Sequence, residues 1–161
     1  MVYKDITLTD FIDFGLAELV IRHNKDRLQV IEYDPIFHPH LYKFFSKKDV
    51  KDKIDVHFMT SGAFSYSDDV SKAMSLLFQS GFFTRVSPYN GCIYVRKPED
   101  IEEVISNEIE KISKKHPTFE NILNPFVDHL EPLVVNSPYS VYIEDLKDIF
   151  KSNLLKLKSI K

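Results

Sequence analysis

The chain has 161 residues, 43% of them hydrophobic, which is enough to bury one core and excludes an intrinsically disordered protein. Its net charge of −3, from 21 basic and 24 acidic residues, excludes a general attraction to phosphate. A single cysteine excludes an intramolecular disulfide and favours a reducing compartment, so we expect a cytoplasmic protein. No apolar run approaches the roughly 18 residues of a membrane span, and we expect neither secretion nor a membrane segment.

The first predicted helix begins after Thr7. Thr7 and Asp10 fit the Thr-x-x-Asp capping box, which satisfies backbone donors at a helix start. Apolar residues then recur at helical spacing up to His23, so one face of this helix should lie on the core. A short strand is predicted next, over residues 28–33.

The segment after this strand contains two prolines, Pro35 and Pro39, which limit regular structure. Only a helical turn over 41–45 is therefore predicted there. Ser46 and Asp49 repeat the capping pattern, and the residues that follow show both helical and strand spacing. Because of the cap, a helix is the favoured interpretation of that segment.

Ser67 is predicted to cap the next helix, with Asp68 and Asp69 at its positively polarised N-terminal end. The helix should run to Ser80 and stop at Gly81, a residue that tolerates the left-handed conformation of a helix end. Its predicted core face is Val70, Ala73, Met74, Leu77 and Phe78.

Two strand-prone runs, 82–87 and 92–97, follow this helix. Pro88 and the Asn90-Gly91 pair lie between them and supply the turn chemistry of a β-hairpin. The hairpin follows the predicted helix directly, so we expect the two to pack against each other.

Three helices are predicted in the C-terminal part. The first covers 98–116, with acids at its start and lysines at its end. The second covers 118–135 and is kinked or interrupted by Pro125, and the third covers 138–157, where a Ser-Pro pair supplies the cap and first turn. The predicted fold class is therefore α+β, mostly α-helical, with a β-hairpin at its centre.

The stretch 62–97, GAFSYSDDVSKAMSLLFQSGFFTRVSPYNGCIYVRK, resembles the recognition helix and wing of winged-helix domains. In those domains a capped helix ends in a Leu-x-x-x-Gly-apolar step, here residues 77–82, and leads into a hairpin. The resemblance implies a winged-helix-like domain over 1–98. Residues 99–161 would then form a helical extension that packs on this domain or serves assembly.

The same stretch is similar to the small winged-helix subunits of SMC-like and three-component ABC-type ATPase systems. This similarity implies a non-catalytic adaptor whose partner is an SMC-like ATPase. It carries no residue role across, and no cofactor is expected.

His38 and His40, with Asp34 nearby, are the candidate metal ligands, since imidazole and carboxylate suit zinc or iron. Further ligands at a defined spacing are missing, so packing roles are favoured for both histidines. Cys92 lies in a strand-prone run with no activating neighbour, and a packing role is favoured over that of a nucleophile. A metal- or cysteine-dependent enzyme is therefore only the third alternative for the function.

A DNA-binding transcriptional regulator is the second alternative. Asp68 and Asp69 oppose it, because the N-terminal residues of a recognition helix face DNA. The remaining candidate nucleic-acid contacts are Lys72, Arg85, Tyr89, Asn90, Arg96 and Lys97.

The last predicted helix is apolar around much of its circumference, more than one flank of a small core covers. We therefore expect it to dock on a protein partner or on a second copy of the chain, unless it lies in the chain's own core. The predicted function is a non-enzymatic protein-interaction adaptor or regulator. The candidate interface residues are Tyr142, Leu146, Ile149, Phe150 and Leu157.

Overall fold

The computed structural model of the chain describes residues 2–60, 62–85, 90–97, 99–136 and 141–159. In these residues it has seven α-helices and one four-stranded antiparallel sheet, which confirms the predicted α+β, mostly α-helical fold. Across the same residues, no helix combines the length and the apolar character that crossing a membrane requires.

The helices and strands have the following bounds. The helices are α1 (Leu8–His23), α2 (Asp34–Phe45), α3 (Lys48–Lys51), α4 (Asp68–Gln79), α5 (Ile101–Lys115), α6 (Phe119–Leu130) and α7 (Ile143–Ser159). The strands are β1 (Arg27–Ile31), β2 (Phe83–Arg85), β3 (Cys92–Arg96) and β4 (Val134–Val135). A 3-10 turn, Glu131–Leu133, connects α6 to β4.

The sheet has the strand order β2-β3-β1-β4, and each neighbouring pair is antiparallel. One face carries buried apolar side chains, with Leu28 opposite Val95 and Val30 opposite Ile93. Helices α1 and α4 contact these strands and cover that face. The hydrophobic core continues from this layer into α2, α5 and α6 and reaches the first half of α7.

The predicted helix caps are present. The Asp10 backbone N–H donates to the Thr7 hydroxyl at 3.1 Å, and the Thr7 N–H donates to the Asp10 carboxylate at 3.4 Å. The Ser67 hydroxyl accepts from the Val70 N–H at 3.2 Å and starts α4. Gly81 has a φ of +81°, so it supplies the left-handed residue after α4 that a side chain would strain.

Four phenylalanines make the centre of the core where α1, α2 and α6 meet. The Phe126 ring lies 4.8 Å from Phe11, 4.9 Å from Phe44 and 5.4 Å from Phe45, centroid to centroid. Gly15 lets α1 approach this cluster, because a Cβ at that position would lie 2.5 Å from a Phe126 ring carbon. The close approach of α1 and α6 therefore depends on the missing side chain of Gly15.

The prediction of irregular structure before residue 41 is wrong, because α2 is continuous from Asp34 to Phe45. Pro35 lies in the first turn, where a missing N–H costs little. Pro39 lies inside the helix and removes one backbone hydrogen bond. Burial of Phe37, Phe44 and their neighbours offsets this cost, since α2 places seven side chains in the interior.

The helix predicted after Ser46 is also wrong beyond one turn. Lys47, and not Ser46, occupies the N-cap position of α3, and its side chain makes no capping hydrogen bond. The chain then runs without helix until Met59 and Tyr66 pair in an isolated antiparallel bridge, with N···O distances of 2.7 and 3.0 Å. Ile54, Val56 and Phe58 are buried or half-buried and the residues between them are exposed, as strand spacing predicts, but these residues form no strand.

The C-terminal helices differ from prediction at their ends. Pro125 does not interrupt α6, which stops at Leu130 instead of residue 135, and Val134–Val135 form the edge strand β4 beside β1. The predicted start of the last helix at Pro138 lies outside the described residues. Helix α7 ends at Ser159, slightly beyond the predicted end at Leu157.

Candidate functional site

An open groove lies between α2, α6 and the second half of α7. Its volume is about 400 Å³. Four apolar side chains line it, Pro125, Pro132, Leu154 and Leu157, and both leucines come from α7. We call this cavity the α7 groove.

The first half of α7 belongs to the chain's own core. Leu146 is fully buried, while Ile149 and Phe150 are half-buried against the core. The Asn153 amide donates to the carbonyls of Pro132 and Val134, at 3.1 and 2.8 Å, and fixes the middle of the helix. Beyond Asn153, α7 extends over the groove.

The predicted interface residues are therefore divided between two surroundings. Leu146 is part of the core, and Leu157 lines the groove. Tyr142 lies just before α7 and is 71% exposed. The Phe150 ring packs edge-on against the His40 ring, with centroids 5.1 Å apart, and so links α7 to the groove wall.

A pair of histidines, His40 from α2 and His129 from α6, forms one wall of the groove. Their rings stack at 3.9 Å with only 8° between the planes. The His129 Nε2–H donates to the His40 carbonyl at 2.6 Å, and the His40 Nε2–H donates to the His129 carbonyl. The pair therefore ties α2 to α6 through two reciprocal hydrogen bonds.

Both histidines of this pair are uncharged at neutral pH. Burial is the main cause that lowers the pKa of His40 to about 3, and His129 is the second. Burial also lowers the pKa of His129, aided by Lys47 and Lys43. The sequence does not predict that His40 and His129 pair, because they are far apart in the chain and no local pattern connects them.

His38 lies in a different environment from His40, so the two candidate metal ligands are not brought together. The His38 Nδ1 accepts from the Ser67 N–H at 3.1 Å, and its Nε2 lies 3.4 Å from the Asp34 carboxylate. Its ring stacks on Tyr66 at 4.3 Å, and burial lowers its pKa. In the residues that the structure describes, no three His, Cys, Asp or Glu side chains form a group that could hold a metal ion.

The groove carries positive charge. Lys43 and Lys47 line it, and within the described part of the chain neither lysine forms an ion pair. Asp128 also lines the groove, but its carboxylate is paired with Arg22 at 2.9 Å. Two lysines beside an apolar wall thus face a ligand that enters.

Two of the candidate nucleic-acid contacts are engaged with carboxylates. Arg85 bonds Glu32 at 3.0 and 3.3 Å, and its guanidinium lies 4.7 Å from the Phe78 ring centroid. Lys97 lies 3.2 Å from a Glu102 carboxylate oxygen. The placement of Phe78 on the core face is wrong, since its side chain is 41% exposed beneath Arg85.

The other candidate contacts lie in separate places. Lys72 is exposed on α4, and Arg96 is exposed at the end of β3. Asn90 is half-buried in the hairpin turn, while Tyr89 lies outside the described residues. The candidate contacts that the structure describes are thus not gathered into one cluster on the hairpin.

Cys92 is buried on β3. Burial raises the pKa of its thiol to about 11. The thiol is therefore protonated at neutral pH, which suits a packing residue and not a nucleophile.

Comparison of this chain with protein-family models, with curated proteins and with solved structures finds no match. The winged-helix resemblance and the similarity to ATPase subunits therefore stay predictions. The functional interpretation rests on the residues of the α7 groove and of the sheet.

Proposed function

We propose that this protein is a non-enzymatic adaptor that binds a segment of a protein partner in the α7 groove. The observation that carries the proposal is the division of α7. Its first half is held in the core, while Leu154 and Leu157 extend over an open cavity of about 400 Å³. When a partner covers apolar side chains at such a cavity, it removes them from water, and this lowers the free energy of the complex.

The charge of the groove defines the chemistry of its occupant. Lys43 and Lys47 offer cations, while the carboxylate of Asp128 is paired with Arg22. The occupant is therefore a segment that carries apolar side chains and at least one carboxylate. The lysines steer this segment and fix its register, while the apolar wall supplies most of the affinity.

The state of the chemically versatile side chains supports binding over catalysis. The Nε2–H groups of His40 and His129 are committed to backbone carbonyls, and the Cys92 thiol is buried and protonated. The Nδ1 lone pairs of the two histidines are weak bases at neutral pH because burial lowers both pKa values, and the protonated thiol is not a thiolate nucleophile. These three side chains are better explained as structural residues.

The order of elements is consistent with the finer form of the proposal. Helix α4 ends at Gln79, and the left-handed Gly81 leads from it into the β2–β3 hairpin, as the winged-helix resemblance implies. Within that resemblance the partner is an SMC-like ATPase, and the single cysteine favours the cytoplasm as the compartment. A DNA-binding regulator has less support, since Arg85 and Lys97 are paired with carboxylates.

Site-specific photo-crosslinking in native extracts tests where a partner binds. A photoreactive residue at position 157 lies in the groove, and one at Ser152 is the matched control on the exposed side of α7, about 140° around the helix. We expect one protein to be labelled from position 157 and not from 152. The labelled peptide should contain apolar residues and a carboxylate.

Other labelling patterns would contradict the proposal. Equal labelling from positions 157 and 152 would mean that α7 is not directed at a partner. Labelling of a second copy of the chain would make the groove a self-association surface instead of an adaptor site. Absence of any labelled protein from position 157 would remove the groove as a docking site.

A further inference from the structure

The sheet has a second face, which α1 and α4 do not cover. Residues directly opposite in an antiparallel pair point to the same side, so the register places Arg27 beside Arg96 and Gln29 beside Tyr94 on this face. Thr84 of β2 joins them opposite Tyr94. We call these five residues the open sheet face.

The open sheet face concentrates positive charge in a protein whose net charge is −3. Arg27 and Arg96 are exposed and directly opposite each other. Repulsion between the two like charges destabilises this arrangement. Within the described residues, neither these arginines nor the adjacent Lys25 forms an ion pair. An anion that binds here would relieve this repulsion.

An aromatic ring lies among these cations. The Arg27 guanidinium carbon is 4.6 Å from the centroid of the Tyr94 ring, and Tyr94 is half-buried. Nucleic acid bases stack on aromatic rings and on guanidinium planes, and such stacking tolerates any base. The Arg27–Tyr94 pair therefore offers both a stacking surface and a charge.

Gln29 adds a buried donor without an acceptor. Its side chain is 7% exposed, and in the described part of the chain its amide nitrogen has no hydrogen-bond partner. The Cys92 thiol is near enough for the Gln29 amide to act against the burial that raises the pKa of the thiol, but a protonated thiol is a weak acceptor and does not satisfy the amide. An unsatisfied buried donor is costly, and a ligand oxygen removes that cost once the enclosed Gln29 amide turns towards the cavity that this residue lines.

Three of the five residues of the open sheet face share one cavity of about 300 Å³. Arg27, Gln29 and Tyr94 line it together with Lys25 and the edge residue Asn136, and no carboxylate is among the described residues that do so. None of these residues lines the α7 groove. The cavity and the groove are therefore independent features.

We propose that the open sheet face binds single-stranded nucleic acid. A base stacks on the Arg27–Tyr94 pair, phosphates lie against Arg27, Arg96 and Lys25, and the Gln29 amide donates to an oxygen of the ligand. A single strand fits better than a duplex, because a base reaches this shallow cavity only when it is free of its own stack.

Fluorescence anisotropy tests this proposal directly. The probes are labelled oligouridine and oligothymidine of about twelve nucleotides, with a duplex of the same length, in about 50 mM salt. We expect at least one single strand to bind more tightly than the duplex. Tyr94→Leu should weaken that binding at least about fivefold, while Tyr94→Phe, which keeps the ring, should bind as the unmodified chain does.

The charge dependence gives a second readout. Removal of one phosphate contact by Arg96→Ala should reduce the slope of log K against log salt by about 0.7. The matched control is Lys151→Ala, which removes an equal charge from the exposed side of α7 and should leave affinity and slope unchanged. If Tyr94→Leu does not fold, ultraviolet crosslinking of bromouracil-containing strands to the unmodified chain gives the test instead. The crosslink should then be found on the β3 peptide that contains Tyr94.

Five results would overturn the proposal. The first four are no binding of either single strand, tighter binding of the duplex, unchanged affinity in folded Tyr94→Leu, and crosslinks that avoid the β3 peptide. Displacement of the strand by inorganic polyphosphate as readily as by unlabelled oligonucleotide would also do so, since polyphosphate has no base to stack. Because the α7 groove takes no part, these outcomes leave the adaptor proposal untouched.

Discussion

Phe126→Ala should lower the free energy of unfolding by about 3–5 kcal/mol, as truncation of a fully buried phenylalanine does. The reason is geometric, because the ring contacts three other phenylalanines and the surface of α1 at Gly15. Denaturant unfolding followed by circular dichroism measures the change. Leu155→Ala, a truncation on α7 at a side chain that is 66% exposed, is the control and should change stability by less than about 0.5 kcal/mol.

A double-mutant cycle sharpens this test. Gly15→Ala alone should cost about 1–3 kcal/mol, because the added methyl group lies 2.5 Å from the Phe126 ring. In a Phe126→Leu background the methyl group meets a smaller side chain and should cost clearly less. Strictly additive costs would show that Gly15 does not set the distance between α1 and α6.

His40→Gln should reduce the pH dependence of stability. His40 has a pKa of about 3 in the folded protein and an ordinary value of 6.5, so only the unfolded state gains its proton between these values. The contribution of neutral His40 to the free energy of unfolding is therefore fully present above about pH 6.5 and is lost as the pH is lowered towards 3. Between about pH 7.5 and 5.5, His40 should account for a loss of about 1.4 kcal/mol.

Glutamine is the informative replacement, because its amide can donate to the His129 carbonyl and does not titrate. The charged and titratable groups around His40 are His129, Lys43, Lys47 and Asp128, and they are the same in both proteins. Asp13, whose pKa burial raises to about 6, stabilises the fold as the pH falls and cancels in the comparison. Equal losses in both proteins would show that His40 is not held neutral.

The sequence allowed prediction of the elements that local chemistry specifies. The capping box at Thr7, the cap at Ser67 and the stop at Gly81 each involve residues within one helical turn, and all three are present. The hairpin strands also pair as predicted. Such features depend on neighbours in the chain, so composition and spacing are enough to find them.

The predictions that were wrong concern features that tertiary contacts determine. Helix α2 persists through Pro39 because its interior side chains offset a local penalty. Strand β4 has only two residues, too few for a periodic pattern, and its place is set by pairing with β1. Phe78 has the spacing of a core residue, yet it is left at the surface beneath Arg85.

The candidate site was predictable only in part. The apolar residues of α7 indicated a helix with more apolar surface than one contact covers, but not which half would be free. That division depends on Asn153 and the backbone carbonyls of Pro132 and Val134. The facing histidines and the stacked Arg27–Tyr94 pair likewise arise from packing and register between distant segments.

The affinity of the purified partner for groove variants tests the adaptor proposal most directly. Leu157→Glu removes an apolar contact and offers Lys43 and Lys47 a carboxylate that competes with the partner. Titration calorimetry with the protein identified by crosslinking should show a Kd at least about thirtyfold weaker for Leu157→Glu. Ser152→Glu, an equal change on the exposed side of α7, should keep the Kd of the unmodified chain; equal Kd values for both variants would contradict docking in the α7 groove.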